Sequence, residues 1–205
     1  APVFTLTHAM GFKGVLGGEY NFNRTEASIW KRFWLPASWG KIDCSVKAGA
    51  EWNTVPFPLL ILPEANLSYI TQRETFCLIN NMEFLNDRFA SMSISYDMNG
   101  KLFNRIPLLK NLKWREMFRV RALWGTLTDK NNPFKSSNPD LFRFPTRDGK
   151  FTSFVMDPKV PYVEASVGIY NIFKLLHVEY VHRFTYRDNP GINKNGIRFM
   201  VLMVF

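Results

Sequence analysis

His177, Glu179 and Arg183 fall at i, i+2 and i+6. On an extended strand successive side chains point to opposite faces, so the three share one face, with about 7 Å between i and i+2. Such a set could move a proton at a reacting centre. It could equally fill a polar interior as an ion-pair and hydrogen-bond network, and both uses stay open. Arg115, Arg119 and Arg121 share one face by the same spacing. His182 lies on the opposite, apolar face of its strand, and His8 stands apart. Cys44 and Cys77 lack the close spacing of a metal or redox motif, and a disulfide between them is unreadable from sequence. G-x-S-x-G, H-E-x-x-H, Walker and G-x-G-x-x-G motifs are absent. Gly11, Gly14, Gly17 and Gly18 cluster in an expected loop, not between a strand and a helix, so they do not form a phosphate cradle. No catalytic residue, metal or cofactor is expected.

The elements that must carry these residues are strands. Period-two alternation runs through residues 41–53, 88–99, 114–126, 163–170, 175–187 and 197–205, and more weakly through 3–9 and 20–34. In 41–53, Ile42, Cys44, Val46, Ala48, Ala50 and Trp52 oppose Lys41, Asp43, Ser45, Lys47, Gly49 and Glu51. Helical periodicity is nearly missing, which predicts an all-β fold of about eight strands. The 205 residues include 46% hydrophobic and 21% charged residues, which excludes intrinsic disorder. No apolar run reaches the roughly 20 residues of a membrane-spanning helix. Aromatics make up 16%, 19 of them Phe, more than a small water-soluble core needs.

The connections divide into two sets that alternate along the chain. Short ones lie near 35–40, 107–113 and 171–174, and the others, mostly long, at 10–19, 54–87, 128–161 and 188–195. Tight turns at one end, long loops at the other, and apolar side chains alternating with polar ones predict a transmembrane antiparallel up-and-down outer-membrane β-barrel. Val178, Tyr180 and Phe184 would then face lipid while Glu179 and Arg183 face a lumen. The last strand places Phe199, Val201, Met203 and Phe205 on one face and ends in Phe. That pattern resembles the C-terminal signal read during barrel assembly, and strand counting puts this terminus on the periplasmic side. A strand already under way at Val3 suggests the C-terminal half of a larger barrel, and closure of residues 3–9 on 197–205 is the alternative.

Lys plus Arg (26) exceed Asp plus Glu (17), giving a net charge of +9. Basic and aromatic residues interleave at 30–34 and 113–121, a pattern that single-stranded nucleic acid could use. The arginines alternate onto one face and the aromatics recur at strand ends, so a basic lumen and loop rims facing lipopolysaccharide phosphates account for the charge without nucleic acid.

Four stretches carry a family resemblance: WNTVPFPLLILPEANLSY from Trp52, LFNRIPLLKNLKWRE from Leu102, LTDKNNP from Leu127 and GIYNIFKLLHVEYVHR from Gly168. They resemble the C-terminal region of a large Bacteroidetes outer-membrane family, whose members carry an N-terminal carboxypeptidase-regulatory-like domain before a barrel of unassigned function. The resemblance implies the C-terminal half of a barrel of about sixteen strands. Such barrels look like the BamA and TamA surface-antigen superfamily, whose long loop before the fifth strand from the end folds into the lumen. Residues 54–87 occupy that place, and Arg73 would stand for the arginine at the loop tip. The implied role is non-enzymatic, in envelope biogenesis by insertion or translocation of proteins or lipids. Its partners would be outer-membrane lipid and lipopolysaccharide, the barrel assembly machinery, and other envelope proteins or the remainder of its own barrel. The alternatives are an outer-membrane enzyme with a site at the outer rim and a soluble β-barrel binding module.

Overall fold

The structure, a computed structural model, describes residues 1–70, 75–133, 135, 141 and 146–201. The strands are β1 (Val3–Gly11), β2 (Phe22–Trp34), β3 (Lys41–Glu51), β4 (Arg88–Asp97), β5 (Arg115–Thr126), β6 (Thr146–Arg147), β7 (Lys150–Phe151), β8 (Tyr162–Ile172), β9 (Leu176–Arg183) and β10 (Asn195–Val201). β6 and β7 pair only with each other. The remaining eight form one antiparallel sheet in the order β1-β2-β3-β4-β5-β8-β9-β10, each beside its neighbour in sequence. The sheet is open, with β1 and β10 as its two edges. Among the described residues, closure of 3–9 on the last strand does not occur.

On β5, β8, β9 and β10 one face carries large apolar side chains and the other mostly polar ones, and the polar face is the buried one; β1 is exposed on both faces and β2 to β4 are part exposed. On β5, Phe118 is 40% and Trp124 40% exposed, whereas Arg119 and Arg121, one residue out of phase, are 6% and 2% exposed. β9 repeats this: Tyr180 is half exposed while Glu179 and Arg183 are buried. Phe184, just beyond β9, is also exposed, and Val178 is partly exposed. β2, β3 and β4 alternate in the same register, pairing Lys47 with Ser28 and Ser91, and Val46 with Ile29 and Met92.

The cover on the polar face comes from residues 54–87, called the strap below. Its Phe76, Ile79 and Phe84 pack with Leu123, Tyr162 and Met156. Val55, Leu60 and Leu85 pack with Leu127, and Cys77 and Leu78 with Val181. The hydrophobic core is thus built between loops and the polar face, since the strands' large apolar residues point the other way. Residues 128–161 join in, with Phe154 N donating to Glu83 O at 2.7 Å and Leu85 N to Phe154 O at 3.3 Å. Gly125 makes room for this layer: a side chain there would collide with the Asn86 amide. The strap also reaches the β10 edge, where Phe199 N donates to Tyr69 O at 2.7 Å.

One helix was not legible in the alternation. α1 (Pro107–Leu112) starts with proline at its first turn, where the missing N–H costs nothing, and ends at Lys113 in the left-handed region at φ 55°.

Candidate functional site

Three acidic side chains gather the buried arginines of β5 and β9 beneath the strap. Glu164 of β8 lies opposite Arg121 of β5 and Arg183 of β9 in the sheet register. It accepts from Arg121 Nη1 at 3.0 Å, Tyr162 Oη at 2.9 Å, Cys77 N at 2.9 Å and Leu78 N at 3.1 Å. A carboxylate with 1% exposure survives without water only when its lone pairs are filled, and here four donors fill them. Two of those donors are consecutive strap amides, so Glu164 fastens the strap to the sheet.

Glu83 of the strap is the second acid. Arg183 donates to it from Nη2 at 2.5 Å and from Nη1 at 3.0 Å, a bidentate fork. The same guanidinium donates to Leu78 O, Thr185 O and Tyr186 O and lies 4.8 Å over the Tyr162 ring. Asn189 Nδ2 adds a contact to Glu83 at 2.9 Å. Arg198 of β10 donates to Cys77 O. β8, β9 and β10 therefore each grip the strap.

Glu179 is the third acid. Arg119 Nη1 reaches both its oxygens at 3.1 Å, Ser166 Oγ donates to it, and His177 Nε2 lies 3.5 Å away. His177 and Glu179 are brought together as their spacing implied. Arg183 is not: it turns to Glu83, so the three do not form one proton-transfer set. Among the lumenal basic residues inferred from sequence, Arg119 and Arg121 are buried in this network. Arg115 is exposed beside the Tyr170 ring, 5.9 Å away. Arg73 lies outside the described residues, as do Met203 and Phe205. Phe199 and Val201 lie on the exposed apolar face of β10.

Cys44 and Cys77 are free thiols on opposite faces of the sheet, so no disulfide joins them. Burial pushes the Cys77 thiol up, and Arg121 Nη1 donates to its sulfur at 3.2 Å. A protonated, 1% exposed thiol is a poor nucleophile and packs as part of the fastening. No group of three or more His, Cys, Asp or Glu suited to a metal ion occurs among the described residues.

A separate fully buried carboxylate, Asp87, closes the strap's other end. It accepts from Thr128 N at 3.1 Å, Thr128 Oγ1 and Asn131 Nδ2 at 2.9 Å. Asn131 Oδ1 in turn accepts from Val55 N at 2.8 Å, tying the two ends of the strap to residues 128–131.

Sequence reasoning passed over Glu83, Glu164, Tyr162 and Asp87 as site residues. Glu164 carried a usable signal, being an acid on the polar face of a strand between two strands with arginines on theirs. Glu83 and Asp87 lie in or beside a loop without periodicity and carried none.

A family model described as "Family of unknown function (DUF5686) C-terminal domain" matches residues 1–135 of the 205. The chain belongs to the DUF5686 family. The DUF5686 match spans β1 to β5 and the strap. The strands that grip the strap from the other side, β8 to β10, follow it in the sequence. No curated protein and no solved structure matches this DUF5686 chain.

Proposed function

We propose that this DUF5686 chain is the C-terminal half of a transmembrane outer-membrane β-barrel of about sixteen strands, acting without enzymatic chemistry in envelope biogenesis. The observation that carries the reading is the reversal of polarity. On β5, β8, β9 and β10 large apolar side chains such as Phe118, Val167, Tyr180 and Phe199 are exposed while Arg119, Arg121, Glu164, Glu179, Arg183 and Arg198 are buried, as suits a sheet with lipid outside and a polar lumen. β2 to β5 and β8 have 10 to 13 residues each. A tilted strand needs about 9–11 to cross a bilayer.

The strap supports a role other than a diffusion pore. It covers the polar face of β5, β8 and β9 with a packed hydrophobic layer held by Glu164, Glu83 and Asp87, where a pore would keep a wet channel. The family resemblance of the sequence adds the expectation of a carboxypeptidase-regulatory-like domain ahead of the barrel and kinship with the BamA and TamA superfamily. Insertion or translocation of proteins or lipids follows from that kinship as a fold-level analogy. Lipid, lipopolysaccharide, the barrel assembly machinery and the rest of its own barrel are the partners this implies.

Fractionation followed by depletion tests both levels. The intact protein should stay in the outer-membrane fraction through alkaline carbonate and show heat-modifiable migration on a denaturing gel. Its depletion should lower the surface density of other barrels or of lipopolysaccharide. Carbonate extraction would overturn the membrane reading, and unchanged envelope composition after depletion would overturn the biogenesis reading alone.

A further inference from the structure

Residues 98–114, which join β4 to β5, leave the sheet in an unexpected direction. Glu116 has the parity of Phe118 and Val120, so its side chain points to the apolar face. It is nevertheless only 4% exposed, and Phe103 N donates to its Oε1 at 2.5 Å. Met98 is also buried and its N–H donates to Glu116 O at 3.1 Å. The connection therefore folds back over the end of the apolar face.

What it displays there is a mixture of two kinds of side chain. Leu102, Ile106, Leu108 and Leu112 are 42%, 46%, 81% and 46% exposed. Lys101, Arg105, Lys110 and Lys113 lie among them, and the segment contains no acidic residue. It is tied to both neighbouring turns: Lys101 Nζ donates to Ala37 O at 3.0 Å and sits 5.0 Å over the Trp39 ring, and Asn171 Nδ2 donates to Lys113 O at 2.8 Å. The three short turns form one shelf at the edge of the exposed apolar face.

We infer that this shelf is a binding surface for anionic phospholipid in the leaflet at the short-turn end of the barrel. The inference rests on the barrel reading above. Continuity with the apolar face puts the leucines at the level where acyl chains begin. Lysine and arginine stems can lie along that apolar surface and raise their charges to the phosphates. A run of four basic residues in a segment without an acid complements anionic headgroups at that depth, each cation adding attraction that fades within a Debye length.

The test uses the intact protein with Cys44→Ala and Cys77→Ser, labelled with an environment-sensitive fluorophore at Leu108→Cys or, separately, Phe118→Cys. Each variant is first checked for heat-modifiable migration; Leu108 is so exposed that its replacement leaves folding intact. The protein is placed in vesicles of phosphatidylethanolamine with phosphatidylglycerol, or of phosphatidylcholine alone. The expected result is loss of emission at position 108 to headgroup-depth nitroxide lipid, little loss to aqueous iodide, and deeper quenching in the anionic vesicles. Lys110→Glu with Lys113→Glu should abolish the difference between the two vesicle types. Quenching of 108 by iodide while 118 is quenched by lipid would overturn the shelf and leave the barrel standing. Shielding of 108 from both quenchers would mean protein covers it, which also overturns the lipid assignment. Failure of lipid to quench either position would bring down the barrel reading and the shelf with it.

Discussion

The sheet has two halves built from the same strand chemistry and treated differently by the rest of the chain. Across β5, β8 and β9, Arg119–Glu179, Arg121–Glu164 and Arg183–Glu83 have side chains no more than 6% exposed. Across β2 and β3, Arg32 forks onto Asp43 at 2.6 and 2.9 Å with equally good geometry, yet the side chains are 31% and 26% exposed. Lys47, which reaches the strap at Glu64 and also meets Glu26, stands between the two cases and is part exposed. Pair geometry does not separate the halves; the strap does. Where it lies, each charge has lost water and depends on its partner. Where it does not, water and salt share the work.

The largest effect should come from breaking a buried pair. Arg183→Ala strands Glu83 away from water, and loss of one partner from a buried pair typically costs about 3–5 kcal/mol. A urea midpoint followed by loss of heat-modifiable migration would read this, and a loss below about 1 kcal/mol would mean the strap is not fastened there.

Next comes a test of whether the apolar face is one surface over both halves. Val46→Arg on β3 and Val167→Arg on β8 replace exposed residues, 43% and 51% accessible, on the same face. In a membrane barrel each should cost about 2–4 kcal/mol near the bilayer midplane. Refolding yield into lipid vesicles checks it: similar losses sustain a continuous lipid face, and tolerance at Val46 alone would confine it to the strapped half.

Cys77 reports local opening without global unfolding. Its buried, protonated thiol should resist a water-soluble maleimide in the folded protein. Glu83→Ala should let the reagent in, read as a mass increase on the peptide containing Cys77. Labelling at equal rates in both proteins would contradict a strap held by Arg183. The smallest change is expected from Arg32→Ala at the part-exposed Arg32–Asp43 pair, under about 1 kcal/mol and shrinking with added salt.

Much of this division was legible before any coordinates. Alternation located every long strand, because side-chain period survives whatever packs on top. It also separated Arg119 and Arg121 from Phe118 and Val120. The pairing of Arg183 was not legible, since its partner Glu83 sits in a loop where no period marks a face. Register was a further obstacle. Between Ile169 and Ile172 the β8–β9 ladder contains an irregularity. Extending the pairing of Ile172 with Leu176 without it would set Glu164 opposite Phe184, a carboxylate against an apolar side chain. One extra residue restores the match of Glu164 with Arg183, and such a bulge leaves almost no mark in sequence. The outward path of residues 98–114 was hidden for a similar reason: a turn read as short says nothing about which side it leans to.

The strap is made early and fastened late. It emerges between β3 and β4, yet Glu164, Arg183 and Arg198 belong to the last three strands of the sheet. Neighbouring strands can zip in order of synthesis, each closing a short loop, but the strap's contacts span separations of up to 121 residues. A chain halted after β5 would hold its strap through residues such as Arg24, Lys47, Arg121 and Leu123, without Glu164, Arg183 or Arg198 to fasten it. Completion of β10 is then the event that converts a growing meander into a finished object, and a quality-control protease would find its substrate in any chain that stops short.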